Sequence, residues 1–298
     1  MLCLLAIVIW SSLEITGKLV GVGIDPFTVT AWRFVIGGLI LLPFAINKVR
    51  TSKQSIRLSS ILHTGSLGIL NVCVSMLLLQ LSIYYGKASL SAVIISMNPL
   101  FVSLFAAVII HEKLSTRQVI STVMGLLGLL FIIFQEHDFS NPAYANVRIG
   151  IIFAILATLS FGLWTVLTKS AVYQYGNTLT NALSFLFGGV CLLVINWVVG
   201  KQFIFHLTTR NILLMSYLGI IITGVAYLLY FQGMKLMKAG TASTYFFLKP
   251  ALAYLLAYLF LGETLGWEQL VGVALIVCGI IVLNTRKVLL PQAIKASS

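Results

Sequence analysis

A lysine and a proline, Lys249 and Pro250, lie inside an apolar run that extends from about residue 240 to 261. At about 1.5 Å of helix per residue, Lys249 would lie near the middle of a membrane-crossing segment. A basic group at that depth costs about 2.5–3.5 kcal/mol on insertion scales and usually faces a bundle interior or water. We therefore expect the Lys249 ammonium to face an internal cavity, where it could bind a carboxylate or phosphate. A structural ion pair is the alternative.

Glu14 is a second charged residue in an apolar run, 2–20. Its carboxylate could exchange a proton or bind the ammonium group of a substrate. Three cations could instead pair with it. They are Lys18, at i+4 on the same helix face, Arg33, at similar depth on the next span, and Lys249. A carboxylate that only neutralises charge and one that binds a ligand are both compatible with this pattern.

Asn98 precedes Pro99 just as Lys249 precedes Pro250, so each proline has a polar neighbour. Proline lacks an N–H and leaves the carbonyl four residues earlier without its helical partner. Interrupted helices at corresponding positions of two halves point to a substrate site in membrane carriers. Helices bent only for packing are the alternative.

Aromatic and amide side chains within the apolar runs are further candidates for the wall of a cavity. The aromatic candidates are Trp10, Trp164, Tyr227, Tyr230, Tyr245 and Tyr254. The amide candidates are Asn71, Gln80 and Gln232. Interface belts and packing account for most membrane aromatics, and amides also bond between helices, so both uses stay open.

The positions of three other charged residues favour structural roles for them. Arg33 lies near enough to an expected membrane interface to reach it as an anchor. Glu112 and Glu263 end two apolar runs at matched positions. We interpret the two glutamates as caps or salt-bridge partners that fix the bundle.

The elements that must position these residues follow from composition. Of 298 residues, 59% are hydrophobic and only 9% charged, whereas a soluble domain carries about a quarter charged residues. Apolar runs of about 18 residues or more recur along the chain, and each can cross a hydrocarbon core of about 30 Å as a helix. The sequence predicts ten such spans, at 2–20, 27–46, 59–83, 89–110, 117–135, 149–170, 177–199, 211–233, 240–261 and 267–285.

A net charge of +12 does not indicate nucleic-acid binding, because the basic residues lie in short gaps between apolar runs. Four scattered cysteines without C-x-x-C spacing behave as small hydrophobes. No histidine pattern fits a metal site, so we expect no metal or cofactor.

The chain repeats itself at an offset of 151 residues without gaps. Matched pairs include Lys18 with Lys169, Gly37 with Gly188, Pro99 with Pro250 and Glu112 with Glu263. Because each repeat contains five spans, an odd number, the second enters the membrane from the opposite side. We predict an all-α integral membrane protein of ten transmembrane helices, built as two inverted five-helix repeats around a central cavity. The predicted boundaries are 1–138 and 149–289, followed by a short cytoplasmic tail at 290–298. The first run has a counterpart at mid-chain, so we interpret it as a span and not a leader.

Orientation follows from the distribution of Lys and Arg. With both termini inside, twelve of them lie in cytoplasmic segments, five lie outside and two lie within spans. Cytoplasmic loops collect Lys and Arg. We predict a multi-pass protein of the cytoplasmic membrane with both termini in the cytoplasm.

The sequence resembles the EamA-type branch of the drug/metabolite transporter superfamily over essentially its whole length. The likeness rests on "IVIWSS" with Lys18, on "DPFTVTAWRFVIGGLILLP" (25–43), and on the repeat ends "NPLFVSLFAAVIIHEKLS" (98–115) and "KPALAYLLAYLFLGETLG" (249–266). The resemblance implies that spans 1, 3, 4, 6, 8 and 9 line the cavity. It also implies transport of amino acids, other metabolites, nucleotide-sugars or phosphorylated sugars, often outward. Glu14 and Lys249 lie outside the general motif.

We expect a secondary transporter for a small polar or zwitterionic metabolite such as an amino acid. An anionic metabolite, or operation as a uniporter or exchanger, are the alternatives. The expected partners are this substrate, the lipid bilayer and, in one reading of Glu14, a proton; we expect a monomer or weak dimer. A channel or scaffold is less well supported. A membrane enzyme is disfavoured because the only aspartates, Asp25 and Asp138, lie in loops.

Overall fold

The computed structural model describes residues 1–21, 23–52, 57–86, 88–133, 145–201, 203–204, 206–252 and 267–284. Tyr254, Glu263, Asp138 and the tail at 290–298 lie outside these ranges.

The described part of the chain is helical throughout, with no strand. Its α-helices are α1 (Leu2–Trp10), α2 (Leu13–Gly21), α3 (Pro26–Ser52), α4 (Leu58–Ile69), α5 (Leu77–Tyr85), α6 (Ala88–Ile95), α7 (Asn98–Ile109), α8 (Thr116–Ile133), α9 (Ala145–Tyr175), α10 (Asn177–Val198), α11 (Thr209–Ser216), α12 (Ala226–Met234), α13 (Ala239–Thr244) and α14 (Trp267–Asn284). Two π-helical segments, Leu70–Met76 and Tyr217–Val225, and a 3₁₀ turn, Tyr245–Phe247, connect some of them.

Several of these helices join into stretches long and apolar enough to cross a membrane. Seven such stretches are present in the described residues: Leu2–Gly21, Pro26–Ser52, Leu58–Tyr85, Ser91–Ile109, Arg148–Tyr175, Asn177–Val198 and Thr209–Met234. They match seven of the predicted spans. The predictions at 117–135 and 267–285 fall on α8 and α14, and that at 240–261 is described only to residue 252. The protein is therefore a multi-pass helical membrane protein.

Four of the spans, numbered here as in the ten predicted from the sequence, are interrupted near their middle. The first breaks at Ser11 and Ser12, between α1 and α2, where the Ser11 hydroxyl donates to the Ile7 carbonyl at 2.8 Å. The fourth breaks between α6 and α7, with Pro99 in the first turn of α7. The third and eighth each contain one of the π-helical segments. Such interruptions release backbone groups from the regular helical pattern and redirect side chains.

The two halves of the chain pack closely on each other. The most extensive helix contacts are those of α3 with α10 and of α8 with α14. Phe34 and Phe185 meet with ring centroids 5.1 Å apart, and the Tyr227 hydroxyl lies 3.4 Å from the Met76 sulfur, to which it donates. In both contacts the two residues are 151 positions apart, which is the offset of the sequence repeat.

A cluster at one end of the bundle ties three elements together. The Lys169 ammonium on α9 lies 2.5 Å from Glu112 Oε1, just beyond α7. The other carboxylate oxygen of Glu112 accepts the Ala239 N–H, at the start of α13, at 2.8 Å. Lys169 also donates to the Met237 carbonyl at 3.1 Å. The structure thus confirms a salt bridge and a cap at Glu112, whereas Glu263 lies beyond the described ranges.

Candidate functional site

A buried ion pair joins the first candidate span to the short helical stretch at residues 248–252, which falls in the ninth predicted span. The Lys249 Nζ atom lies 2.5 Å from Glu14 Oε1, and each side chain is only 2% exposed. Of the three cations that the sequence allowed as partners of Glu14, the structure selects Lys249. The second carboxylate oxygen, Glu14 Oε2, is also buried and has no hydrogen-bond partner in the described structure.

Local backbone features direct these two side chains toward each other. Glu14 lies in the first turn of α2, immediately after the break at Ser11 and Ser12. Lys249 follows the 3₁₀ turn Tyr245–Phe247 and precedes Pro250, in a short helical stretch at residues 248–252. Proline cannot bond to the preceding turn, so the change of helix type is expected at this position.

A cluster of buried aromatic rings packs together, with members on the spans that carry the ion pair. We call Trp10, Phe161, Trp164, Tyr227, Tyr230, Phe231 and Phe246 the aromatic cluster. The Trp10 ring centroid lies 4.8 Å from that of Tyr227, 5.1 Å from that of Tyr230 and 5.4 Å from that of Phe246. Trp10 precedes Glu14 by four residues, and Phe246 precedes Lys249 by three. The ring contact and the ion pair therefore lie about one turn apart along the same two spans.

Polar groups of the aromatic cluster are partly without partners. The Trp10 indole N–H donates to the Ile222 carbonyl, in the second π-helical segment, at 2.9 Å. The indole nitrogen of Trp164 and the hydroxyl of Tyr230 are buried and have no hydrogen-bond partner among the described residues. Buried polar groups are nearly always bonded, so these two groups are available to a ligand that could enter the cluster.

Two asparagines of the first half are fully buried. Asn98 begins α7 beside the break in the fourth span, and both polar atoms of its amide are unpartnered in the described structure. Its oxygen lies near the backbone of Gly162, on α9. Asn71 lies in the first π-helical segment, and both polar atoms of its amide are likewise unpartnered in the described structure.

The remaining predicted site residues take different positions. Gln80 is buried, and its amide N–H donates to the Gly17 carbonyl at 3.2 Å, which links α5 to α2. Tyr245 is buried in the 3₁₀ turn. Gln232 is exposed, because the buried side of α12 is formed by its neighbours Tyr230, Phe231 and Met234. It does not join the site in this structure.

Arg33 is buried, with 2% exposure, and does not reach the surface as the sequence favoured. Its guanidinium carbon lies 4.8 Å from the Phe34 ring centroid, and its Nε has no hydrogen-bond partner in the described part. Lys18 is likewise engaged elsewhere, since it donates to the Ile83 and Gly86 carbonyls at 2.9 Å each.

Sequence reasoning missed three phenylalanines of the aromatic cluster, Phe161, Phe231 and Phe246. Phenylalanine is common in any membrane span, so its type gives no signal. The sequence repeat did contain a signal for one of them, because Phe161 corresponds to Trp10 at the offset of 151 residues. The break at Ser11 and Ser12 was missed as well, although paired serines are a known site of helix bending.

A charged pair beside rings, enclosed by several spans, can bind a small molecule that has both charge and apolar surface. The fold and site thus define a polytopic helical membrane protein with a buried polar centre. The sequence profile of the EamA-like transporter family matches residues 1–134 and 148–285. The chain belongs to this family of membrane transporters.

Several relatives agree. A protein of Clostridium kluyveri named as an uncharacterized transporter is 35% identical over 281 residues, covering 94% of this chain and 90% of its own. Protein PecM of Dickeya dadantii is 29% identical over 220 residues, which cover 73% of this chain and 72% of PecM. A chain solved by crystallography superposes with a TM-score of 0.76 at 18% identity, and the match covers 95% of both chains. That likeness supports the fold alone.

Proposed function

We propose that this protein is a secondary transporter that exports a small zwitterionic metabolite, such as an amino acid, by alternating access. In this proposal Lys249 binds the substrate carboxylate and Glu14 binds its ammonium group. Asn98, Asn71, Trp10, Trp164 and Tyr245 contribute to the surrounding wall.

The Glu14–Lys249 pair is the observation on which the proposal depends. It holds one positive and one negative group at 2.5 Å, away from both lipid and water. An amino acid presents the same two charges in close proximity. Intramembrane charges of this kind commonly mark a substrate pathway.

Alternating access requires two halves that can exchange roles, and we propose two inverted five-helix repeats for this purpose. Contacts between residues related by the 151-residue offset support it, because two elements related by a two-fold axis meet themselves at that axis. Phe34 with Phe185 and Tyr227 with Met76 are such contacts. The two π-helical segments also overlap at this offset.

We further propose that both termini lie in the cytoplasm. The excess of Lys and Arg in the segments assigned to the inside supports this orientation. Two ion pairs support the division of the loops between the two faces, since each joins residues that the proposed topology places on one face. Asp25 and Lys201, 3.6 Å apart, would both lie outside, whereas Glu112 and Lys169 would both lie inside. Partial burial and the like charge of Lys48 lower the pKa of Lys235, and both lysines belong to the proposed cytoplasmic face.

An anionic metabolite is the second candidate. The observation that favours it is Arg33, a buried cation that has no carboxylate within ion-pair distance among the described side chains. Together with Glu14 and Lys249 it leaves one positive charge in excess, which an anion would neutralise.

A panel of radiolabelled amino acids and sugar phosphates, presented to the purified protein in proteoliposomes, tests both candidates. We expect saturable flux of at least one zwitterion and its loss in Lys249→Met and Glu14→Gln. Normal flux in both folded variants would reject these ligand assignments. Saturable flux of sugar phosphates alone would favour the second candidate.

A further inference from the structure

We infer that the Glu14–Lys249 pair is the internal counter-charge of the unloaded carrier, so that a zwitterion replaces it group for group and crosses without net charge and without a coupling proton. The inference rests on the proposed function and adds that the carrier is a uniporter, which equilibrates its substrate and does not concentrate it.

The first step concerns the unloaded state. Glu14 and Lys249 come from spans at opposite ends of the sequence, yet each supplies the other's counter-charge in the bundle interior. A buried charge without a partner is strongly unfavourable. An empty site with unpaired charges would oppose the passage of the carrier between its two states. Because this pair neutralises itself, the unloaded carrier can return without a bound ion or a second substrate.

The second step concerns loading. A substrate carboxylate takes the place of Glu14 on Lys249, and the substrate ammonium takes the place of Lys249 on Glu14. One ion pair becomes two, and the charge of the site stays the same. The free oxygen Glu14 Oε2, buried and unpartnered, gives the incoming ammonium an acceptor before Lys249 has moved away.

The third step concerns protons. The structure describes three acidic side chains, Glu14, Asp25 and Glu112, and the latter two are paired with Lys201 and Lys169. Glu14 is thus the one described carboxylate of the site that could accept a proton. It has a cationic partner in the unloaded state and another in the loaded state, so transport does not require its protonation.

Other charged and titratable groups near the pair do not change this balance. The Arg33 guanidinium lies over the Phe34 ring, and Tyr227 packs against the rings of Phe34 and Trp10. Both belong to the protein before and after loading. An anion alone would leave Glu14 without Lys249, and a cation alone would leave Lys249 without Glu14. Both charges on one molecule are therefore required.

Radiolabelled L-leucine and L-phenylalanine are suitable probes, because an apolar side chain can lie against Trp10 and Phe246. Proteoliposomes without internal substrate are given a potential with potassium and valinomycin, or a pH gradient, and the accumulation ratio is measured. We expect the ratio of internal to external amino acid concentration to stay near one in every condition. One transported charge would give about 50-fold accumulation at 100 mV, and one coupled proton about tenfold per pH unit. N-acetyl-leucine and leucinamide, which lack one charge each, should be rejected.

The possible outcomes are distinct. Accumulation that follows the potential or the pH gradient, or uptake only when the liposomes contain substrate, would overturn the counter-charge role and leave the proposed function intact. Absence of flux for every zwitterion, in protein whose thermal unfolding is normal, would reject the proposed function and this inference with it. Lys201→Met, which removes an exposed ion pair, is the matched control and should behave as wild type.

Discussion

At the scale of single residues, the buried pair of Glu14 and Lys249 dominates the energetics of the site. Two charges removed from water are tolerated only when they pair, and a well-packed apolar replacement of both is often no less stable. The pair is therefore weak support for stability as such. In the proposed function, its presence in the interior is explained by the substrate groups that replace each partner.

Lys249→Met should destabilise the protein by about 3–5 kcal/mol, because Glu14 would remain as a buried charge without a partner. Adding Glu14→Gln should recover most of this loss, since no charge then remains to be neutralised. Thermal unfolding of the wild type, both single variants and the double variant in detergent measures the coupling free energy between Glu14 and Lys249.

The control is Lys201→Met, at an ion pair whose lysine is 44% exposed. Exposed pairs contribute less than about 1 kcal/mol. A loss in Lys249→Met as small as that in Lys201→Met, or a double variant less stable than both single variants, would contradict the account of the buried pair.

Glu14 and Lys249 could be predicted as site candidates from the sequence, because a single charged residue inside an apolar run is easily recognised. The sequence could not choose the partner of Glu14, since that depends on how the first and ninth spans cross. Nor could it orient Gln232, because the buried side of α12 is set by the spans that pack against it. Arg33 was placed too near the surface for the same reason.

At the scale of elements, glycines allow the closest helix contacts between the two halves. A Cβ at Gly37, on α3, would lie 2.9 Å from the Gly219 carbonyl oxygen and 2.9 Å from the Thr223 methyl. Gly219 and Thr223 belong to the second π-helical segment. Small residues at such crossings let backbones approach in membrane bundles.

Gly37→Ala should destabilise the bundle by about 1–3 kcal/mol, because the new methyl group overlaps a neighbouring backbone. Gly21→Ala is the matched control at an open helical position, where a Cβ meets nothing within 4 Å. There the change should stabilise slightly, by up to about 1 kcal/mol. Thermal unfolding of both variants checks the contrast, and equal effects would argue against the close approach of α3.

The positions of most helices could be predicted from apolar runs, and proline located the break before α7. The π-helical segments could not be predicted: the Ser75 and Thr223 hydroxyls donate to the carbonyls five residues earlier, but serine and threonine also occur in regular helices. Similarly, the run Leu2–Gly21 reads as one continuous helix until the bonds of Ser11 with the preceding turn are considered.

At the scale of the whole molecule, the proposed inversion makes a topological prediction. Lys48 lies near the end of α3 and Lys201 follows α10, and both are exposed. Position 48 corresponds to position 199 at the repeat offset, so inverted repeats place Lys48 and Lys201 on opposite faces.

Single cysteines at these two positions, in a background lacking the four native cysteines, can be labelled with an impermeant maleimide in intact cells. We expect labelling of Lys201→Cys from outside, and of Lys48→Cys only after the membrane is permeabilised. Labelling of both from the same side would mean that the repeats run parallel, and alternating access between inverted halves would have to be abandoned.

The two oxygens of Glu112 have a mechanical consequence. One binds the Lys169 ammonium and the other holds the first N–H of α13, so a single side chain fastens the ends of three spans. Loss of this one carboxylate would release two attachments together, while the Lys169 bond to the Met237 carbonyl still joins α9 to the residues before α13. Opening at that end should therefore be cooperative, because two of its contacts depend on one side chain.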